Sequence, residues 1–369
     1  MESLRRLLAL VVKEFLALLK DPKSRTVVVI PPLFQTLVFG YAATFDLNNV
    51  PYAVYDEDGG AAAADLRANI EGSPNFQLVR SLDSDHDIPD LINSRKVALV
   101  VRIPPTFTRD INDNKAVVQA IVDGRNSNTA SIVLNYLTEI ITSFNNERME
   151  QRGQSPPSRL APRAWFNENY LSQWFFVPGI VAVVTMVVTV LVTALSVARE
   201  REQGTFDQLL VTPLRPLDIL IGKAAPGFLI GMAEASVIVL LAVYWFKTPL
   251  RGDLLALYIG LVLFLFSAVG IGLMISSFSV TLQQGLLGMF IFAVPAVILS
   301  GFATPIANMS PAVQYLTLIN PLRYILIIIR GVFLEAAPLR LLWPQLWPLA
   351  VIGLMSMVMA AWMFRRRIY

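Results

Sequence analysis

Long apolar runs separated by short polar breaks occupy most of the chain. Trp174–Val197, Ile219–Phe246, Leu254–Ser277, Gln284–Phe302 and Leu346–Phe364 are apolar nearly throughout. A helix rises about 1.5 Å per residue, so about 20 such residues cross the hydrocarbon of a bilayer. Thr26–Phe45 makes a sixth run, in which Pro31-Pro32 predicts a kink. The pattern predicts six transmembrane helices. Residues 3–20 differ, because Arg5, Arg6, Lys13, Glu14 and Lys20 interrupt the apolar positions. They read as an amphipathic helix on the membrane surface, within a cytoplasmic segment 1–25 that Asp21-Pro22 closes. The interruption, and the lack of a small-residue cleavage site, exclude a cleavable signal peptide.

Residues 46–172 break the pattern. Tyr52–Tyr55, Val97–Ile103 and Val117–Val122 read as strands, Ala61–Ile70 and Ser127–Phe144 as helices, and Asp56–Gly60 as a turn. This is an inserted mixed α/β domain. Its acidic residues outnumber its basic ones, the reverse of a cytoplasmic loop, which places it outside the cytoplasm. Tyr315–Phe333 is apolar but broken by Asn320-Pro321 and charged at Arg323 and Arg330. Taken as a span, it would put Arg365-Arg366-Arg367 on the acidic side. It therefore reads as part of an outer re-entrant hairpin, 304–336.

Composition agrees with a membrane protein: 55% of the 369 residues are hydrophobic and 15% charged, against about 25% charged in soluble domains. Cysteine is absent, which excludes disulfides and thiolate metal sites. The basic pI of 9.1 fits Lys and Arg held at the cytoplasmic membrane edge rather than a nucleic-acid surface.

Catalytic constellations are missing. No G-x-x-x-x-G-K-[ST] occurs, so the chain has no P-loop of its own. The single histidine, His86, sits in Asp83-Ser84-Asp85-His86-Asp87, which reads as a solvated loop without ligand spacing. Glu234 is the one carboxylate deep inside a run, a candidate for the substrate path or for a structural pairing. Lys223 reads as a residue that snorkels to the edge.

The most specific stretch is 199–213, charged at Arg199-Glu200-Arg201-Glu202 and lying between two apolar runs. Thr205 and Gln208 fit a capping box, Phe206, Leu209 and Leu210 share one helical face, and Pro213 ends the segment. Such a short helix either rests on lipid or fits a groove in a partner.

The run Glu202-Gln203-Gly204-Thr205-Phe206-Asp207-Gln208-Leu209-Leu210-Val211-Thr212-Pro213-Leu214-Arg215-Pro216 resembles the permease subunits of bacterial ABC-2 (type V) ATP-binding-cassette exporters. So do Leu299–Met309, Asn320-Pro321-Leu322-Arg323-Tyr324 and Ile329-Arg330-Gly331. Ile103-Pro104-Pro105-Thr106-Phe107 and Val122–Ala130 are similar to the drug-efflux-type branch, which carries a large domain after the first span. The resemblance implies a coupling helix at 199–213 seated in a separate cytoplasmic ATPase, with Glu200, Glu202, Gly204, Thr205, Phe206, Leu209, Thr212 and Pro213 at that contact. It implies that ATP and Mg bind the partner and not this chain, which is not itself an enzyme. It further implies a second permease (a homodimer or a paralogue), a periplasmic adaptor, a lipid environment and a bacterial inner-membrane location. Asn320, Pro321, Arg323 and Arg330 would shape the outer hairpin. Two other classes remain open: a transporter driven by an ion gradient through Glu234, and a membrane-anchored sensor or assembly protein.

Overall fold

The computed structural model describes residues 2–20, 22–42, 47–113, 115–151, 153, 166–167, 171–205 and 215–368. The chain divides into two compact units, Thr44–Arg163 and the combination of Met1–Ala43 with Ala164–Tyr369.

The smaller unit is an α/β domain. Its elements are β1 (Val50–Asp56), α3 (Ala61–Glu71), β2 (Phe76–Leu82), α4 (Asp87–Asn93), β3 (Leu99–Ile103), α5 (Phe107–Asp110), β4 (Gln119–Val122) and α6 (Ser127–Gln151). The sheet order is β2-β1-β3-β4, with β1 parallel to both neighbours and β4 antiparallel at the edge. Alternation along β1 sends Val50, Tyr52 and Val54 into a core shared with Leu66 and Ile70 of α3 and Val133, Leu137 and Phe144 of α6. Ala53 points the other way, against Ile88 and Leu91 of α4.

Strand β2, helix α4 and the one-turn α5 escape the sequence reading. Strand β2 is an edge strand buried fully only at Phe76 and Leu82, so its apolar pattern is weak. In the Asp83–Asp87 cluster, residues 83–86 stay a loop as the sequence suggested and only Asp87 enters α4: the His86 amide donates to Ser84 Oγ at 3.2 Å, and Asp87 pairs with Arg80 at 3.5 Å. Two of the family-like motifs have structural work inside this unit. The Phe107 amide donates to the Pro104 carbonyl and the ring is buried, while Arg125 holds Asp123 and the Ile92 carbonyl at 2.7 and 2.6 Å.

The larger unit is helical. It comprises α1 (Glu2–Lys20), α2 (Pro22–Ala42), α7 (Ser172–Glu202), α8 (Pro216–Leu240), α9 (Leu254–Phe278), α10 (Leu282–Ile298), α11 (Pro311–Leu316), α12 (Pro321–Leu334) and α13 (Leu339–Ile368). Helix α7 is the axis, packed by α2, α8, α9, α10 and α12. A stripe of Thr185, Thr189 and Thr193 along it is fully buried. Gly231 of α8 lies against Thr189, and Gly272 of α9 against Thr193, approaches that a side chain would block. Small and hydroxyl residues are what lets helices pack where lipid removes the hydrophobic drive.

Among the described residues four helical stretches are long and apolar enough to cross a membrane: Ser172–Glu202, Leu217–Trp245, Leu254–Phe278 and Leu339–Arg366. The Val28–Tyr41 part of α2 and the 17-residue α10 are shorter apolar helices. Pro311–Ile319 and Pro321–Leu334 meet at 83°, a bend set at Asn320. Leu10 of α1 and Phe364 of α13 share one core cluster with Val197, Ile219 and Leu273, so both terminal helices meet at one end of this unit.

Candidate functional site

Helix α7 continues to Glu202, so Arg199–Glu202 form its last turn rather than the beginning of a separate coupling helix. Arginines suit that place, because the exposed carbonyls of a helix C-terminus attract positive charge. The helix then closes on Gly204, whose φ of +68° is left-handed. The Gly204 amide donates to the Arg201 carbonyl at 3.1 Å and the Thr205 amide to the Glu200 carbonyl at 2.9 Å. These two bonds make a Schellman closure, which favours glycine at the left-handed position. The Thr205 hydroxyl also turns back to the Glu200 carbonyl, at 3.4 Å, instead of forward as the first residue of a new helix. Phe206, Leu209, Thr212 and Pro213, with Gln208, lie outside the described residues.

The three charged residues before that closure hold four other helices between them. Glu200 is 7% exposed and receives two ammonium groups, Lys13 of α1 at 2.8 Å and Lys223 of α8 at 2.6 Å. Glu14 of α1 completes the cluster, 3.3 Å from Lys13 and 3.5 Å from Lys223. Arg201 Nη1 donates to the Ser277 carbonyl at 2.9 Å and the Ser279 carbonyl at 3.3 Å, where α9 ends. Glu202 Oε2 accepts from the Leu282 amide at 2.6 Å, where α10 begins. One tripeptide therefore ties α1, α8, α9 and α10 to the end of α7.

Lys223 corrects its sequence reading. It is 2% exposed and does not snorkel; two carboxylates take its charge inside the protein. Glu200 and Glu202 likewise spend their carboxylates within the chain. A lysine whose carboxylate neighbours, Glu200 and Glu14, stand 23 and 209 residues away leaves no local trace in sequence. The triple charge at the end of an apolar helix, with Lys13-Glu14 inside an amphipathic run, was the signal that could have revealed it.

At the other end, Asn320 anchors the bend. Its Oδ1 accepts from the Leu322 amide at 3.0 Å, capping α12, and its Nδ2 donates to the Ala296 carbonyl of α10 at 2.7 Å. Pro321 takes the first position of α12, where its missing amide costs nothing. Arg323 donates to Thr317 Oγ1 at 2.5 Å, and Arg330 lies over the Phe175 ring at 3.8 Å. Glu234 stands apart from both sites, on α8. Both its oxygens are buried without a hydrogen-bond partner among the described residues.

The model of the ABC-2 family transporter proteins matches residues 24–362. The chain belongs to that family. It is 39% identical over 364 residues, 98% of this chain and 99% of the relative, to the probable multidrug ABC transporter permease YbhR of Escherichia coli (strain K12). The probable multidrug ABC transporter permease YbhS of the same strain is 32% identical over 340 residues, 90% of this chain and 89% of that protein. The inner membrane transport permease YhhJ, also of that strain, is 26% identical over 376 residues and matches all of this chain and 99% of its own length. This ABC-2 chain is thus a multi-pass membrane permease, and nothing in its family assigns an enzymatic activity to it.

Proposed function

We propose that this permease forms the transmembrane path of an exporter whose ATP, with Mg, is hydrolysed on a separate cytoplasmic subunit. The observation that carries the reading is the Glu200–Arg201–Glu202 hub. A partner pulling on the loop after Gly204 would move α7 together with α1, α8, α9 and α10, because each is tied to that tripeptide. The bonds at 2.6–2.9 Å make this end of the bundle one mechanical piece.

In this reading α2, α7, α8, α9, α10 and α13 are the six spans, the two shorter apolar helices included, and α11–α12 form an outer re-entrant hairpin. Arg5, Arg6, Lys13, Lys20, Arg199, Arg201, Arg365 and Arg366 set the hub end in the cytoplasm of a bacterial inner membrane, and residues 46–172 outside. Two permeases, identical or paralogous, would enclose the path, and the outer domain would meet a periplasmic adaptor. Two relatives bear the name multidrug, which favours a hydrophobic or amphiphilic cargo. Glu234 would be its polar contact within the span.

The test is reconstitution in lipid vesicles with the cognate ATPase. Phe206→Asp with Leu209→Asp is expected to abolish ATP-driven efflux while the permease still folds. Unchanged efflux overturns the coupling role of the loop, and Glu234→Gln with unaltered cargo selectivity removes that residue from the path.

A further inference from the structure

The α/β unit holds a cleft of about 420 Å³ between the second half of α6 and the chain that leads from α5 to β4. That volume is in the usual range of small-molecule sites, about 300–1,000 Å³. Its floor is closed. Leu66 of α3 is buried there beside the buried Phe107 and Phe144, whose ring planes are 23° apart and whose centroids lie at 6.5 Å. The walls stay accessible: Ile111, Ala116 and Val118 on one side and Ile141 and Met149 of α6 on the other are each only partly buried. The space is thus a two-sided cleft with a fixed base, not a flat apolar face.

Two polar side chains of α6 complete the lining, the exposed Asn145 and Arg148, whose side chain is 24% exposed. Arg148 is held from two directions. Its guanidinium lies over the Phe144 ring at 5.4 Å, and its Nη1 donates to Asp65 Oδ2 of α3 at 3.4 Å. Among the described residues its Nε and Nη2 are neither hydrogen-bonded nor sealed from solvent. They remain donors that a guest can reach, and the Asn145 amide adds two more.

Charge decides which guest. Asp65 offsets Arg148, so the pair presents donors without a net charge. A free carboxylate would compete with Asp65 for the guanidinium, and an ammonium group would meet its positive charge. A neutral oxygen acceptor meets neither obstacle. We propose that this cleft binds an uncharged, mainly apolar small molecule, its carbonyl oxygen on Arg148 and Asn145 and its carbon frame against Ile111, Val118, Ile141 and Met149. The closed floor and the tethered arginine leave little to be ordered on binding. The site stands on the α/β unit alone, so it goes beyond the exporter reading and does not depend on it.

The experiment uses the full permease in lipid nanodiscs with benzophenone as the probe. Benzophenone is uncharged and apolar, and its carbonyl, once excited by ultraviolet light, adds across a neighbouring C–H bond. Labelling within 141–149 is expected to saturate with probe concentration, while labelling of the lipid-facing helices serves as the reference. Ala116→Trp and Ile141→Trp, which fill the cleft from opposite walls, should each remove it while hydrogen exchange in β1 stays unchanged. Arg148→Met should weaken it about fivefold, the worth of one hydrogen bond, and Arg148→Lys should restore most of it. The anionic 4-benzoylbenzoate should label the wild type less than benzophenone does. Asp65→Asn, which frees the guanidinium, should reverse that order.

Labelling that fails to saturate, or that survives both tryptophan variants, overturns the site. Labelling unchanged in Arg148→Met overturns the polar seat, and stronger labelling of the wild type by 4-benzoylbenzoate overturns the uncharged ligand class. The measurement needs neither ATP nor the partner subunit, so its failure leaves the exporter reading untouched.

Discussion

Lys223 Nζ lies 2.6 Å from Glu200 Oε2, and the lysine side chain is 1% exposed. Charges this deep are costly when one partner is removed, because the survivor stays buried and unpaired. Lys223→Met is expected to destabilise the permease by about 3–5 kcal/mol. Glu200→Gln should cost less, because Glu14 still faces both lysines. Combined, the two changes should cost less than their sum, as expected of residues in contact. Thermal unfolding of the four proteins in lipid nanodiscs closes the cycle, and strict additivity would refute the pairing.

Gly204 is the joint between that cluster and the loop. Its φ of +68° costs a residue with a Cβ about 1–2 kcal/mol. A Cβ there meets nothing within 4 Å among the described residues, so the penalty expected is that of the backbone. Substitutions should rank accordingly: Gly204→Asn mild, Gly204→Ala intermediate and Gly204→Val worst. The expected signature is ATP hydrolysis retained with efflux reduced in that order, measured on the same vesicles. A valine variant transporting as well as wild type would show that the closure does not position the loop.

Much of the helical unit was legible because span composition is a local property. Trp174–Val197 and Leu254–Ser277 lie within α7 and α9 with ends near those expected. The break at Asn320-Pro321 was legible too, since a proline at the first helical position and an asparagine before it have one common use. The hub was not. Glu200 looked like a surface residue because its partners come from α1 and α8, and charge pairing over such separations has no sequence period. The shortening of α10 to 17 residues was also hidden: its C-terminal Leu299–Phe302 is as apolar as the helix, and the turn there depends on Gly301 at φ +86°.

The α/β domain carries its own dependence on pH. Hydrogen bonds from the Arg125 side chain, then from its amide, push Asp123 down from 3.8 to about 2. A carboxylate whose folded value is depressed adds stability above its unfolded value and loses it as the pH falls through the folded one. The Asp123–Arg125 pair should therefore be indifferent to pH from about 8 to 5 and weaken between about 4 and 2. Hydrogen exchange in 87–103 and 119–130, which the pair joins through the Ile92 carbonyl, is expected to accelerate over that acid interval. Asp123→Asn should exchange faster already at pH 7, with a smaller further change on acidification.

Asn320 offers the sharpest test of the hairpin. Its two bonds serve different ends: Oδ1 caps α12 through the Leu322 amide, and Nδ2 holds the Ala296 carbonyl of α10. Asn320→Ala loses both, at about 1 kcal/mol for the cap and about 1–3 kcal/mol for the buried carbonyl left unbonded. Asn320→Ser keeps an oxygen for the cap but cannot span to Ala296, so it isolates the second contribution. Hydrogen exchange is the informative measurement, since the loss should appear at 296–300 in both variants and at 321–324 in the alanine variant alone. Equal protection of 321–324 in the two would mean that Pro321 and the surrounding packing, not the side-chain cap, start this helix.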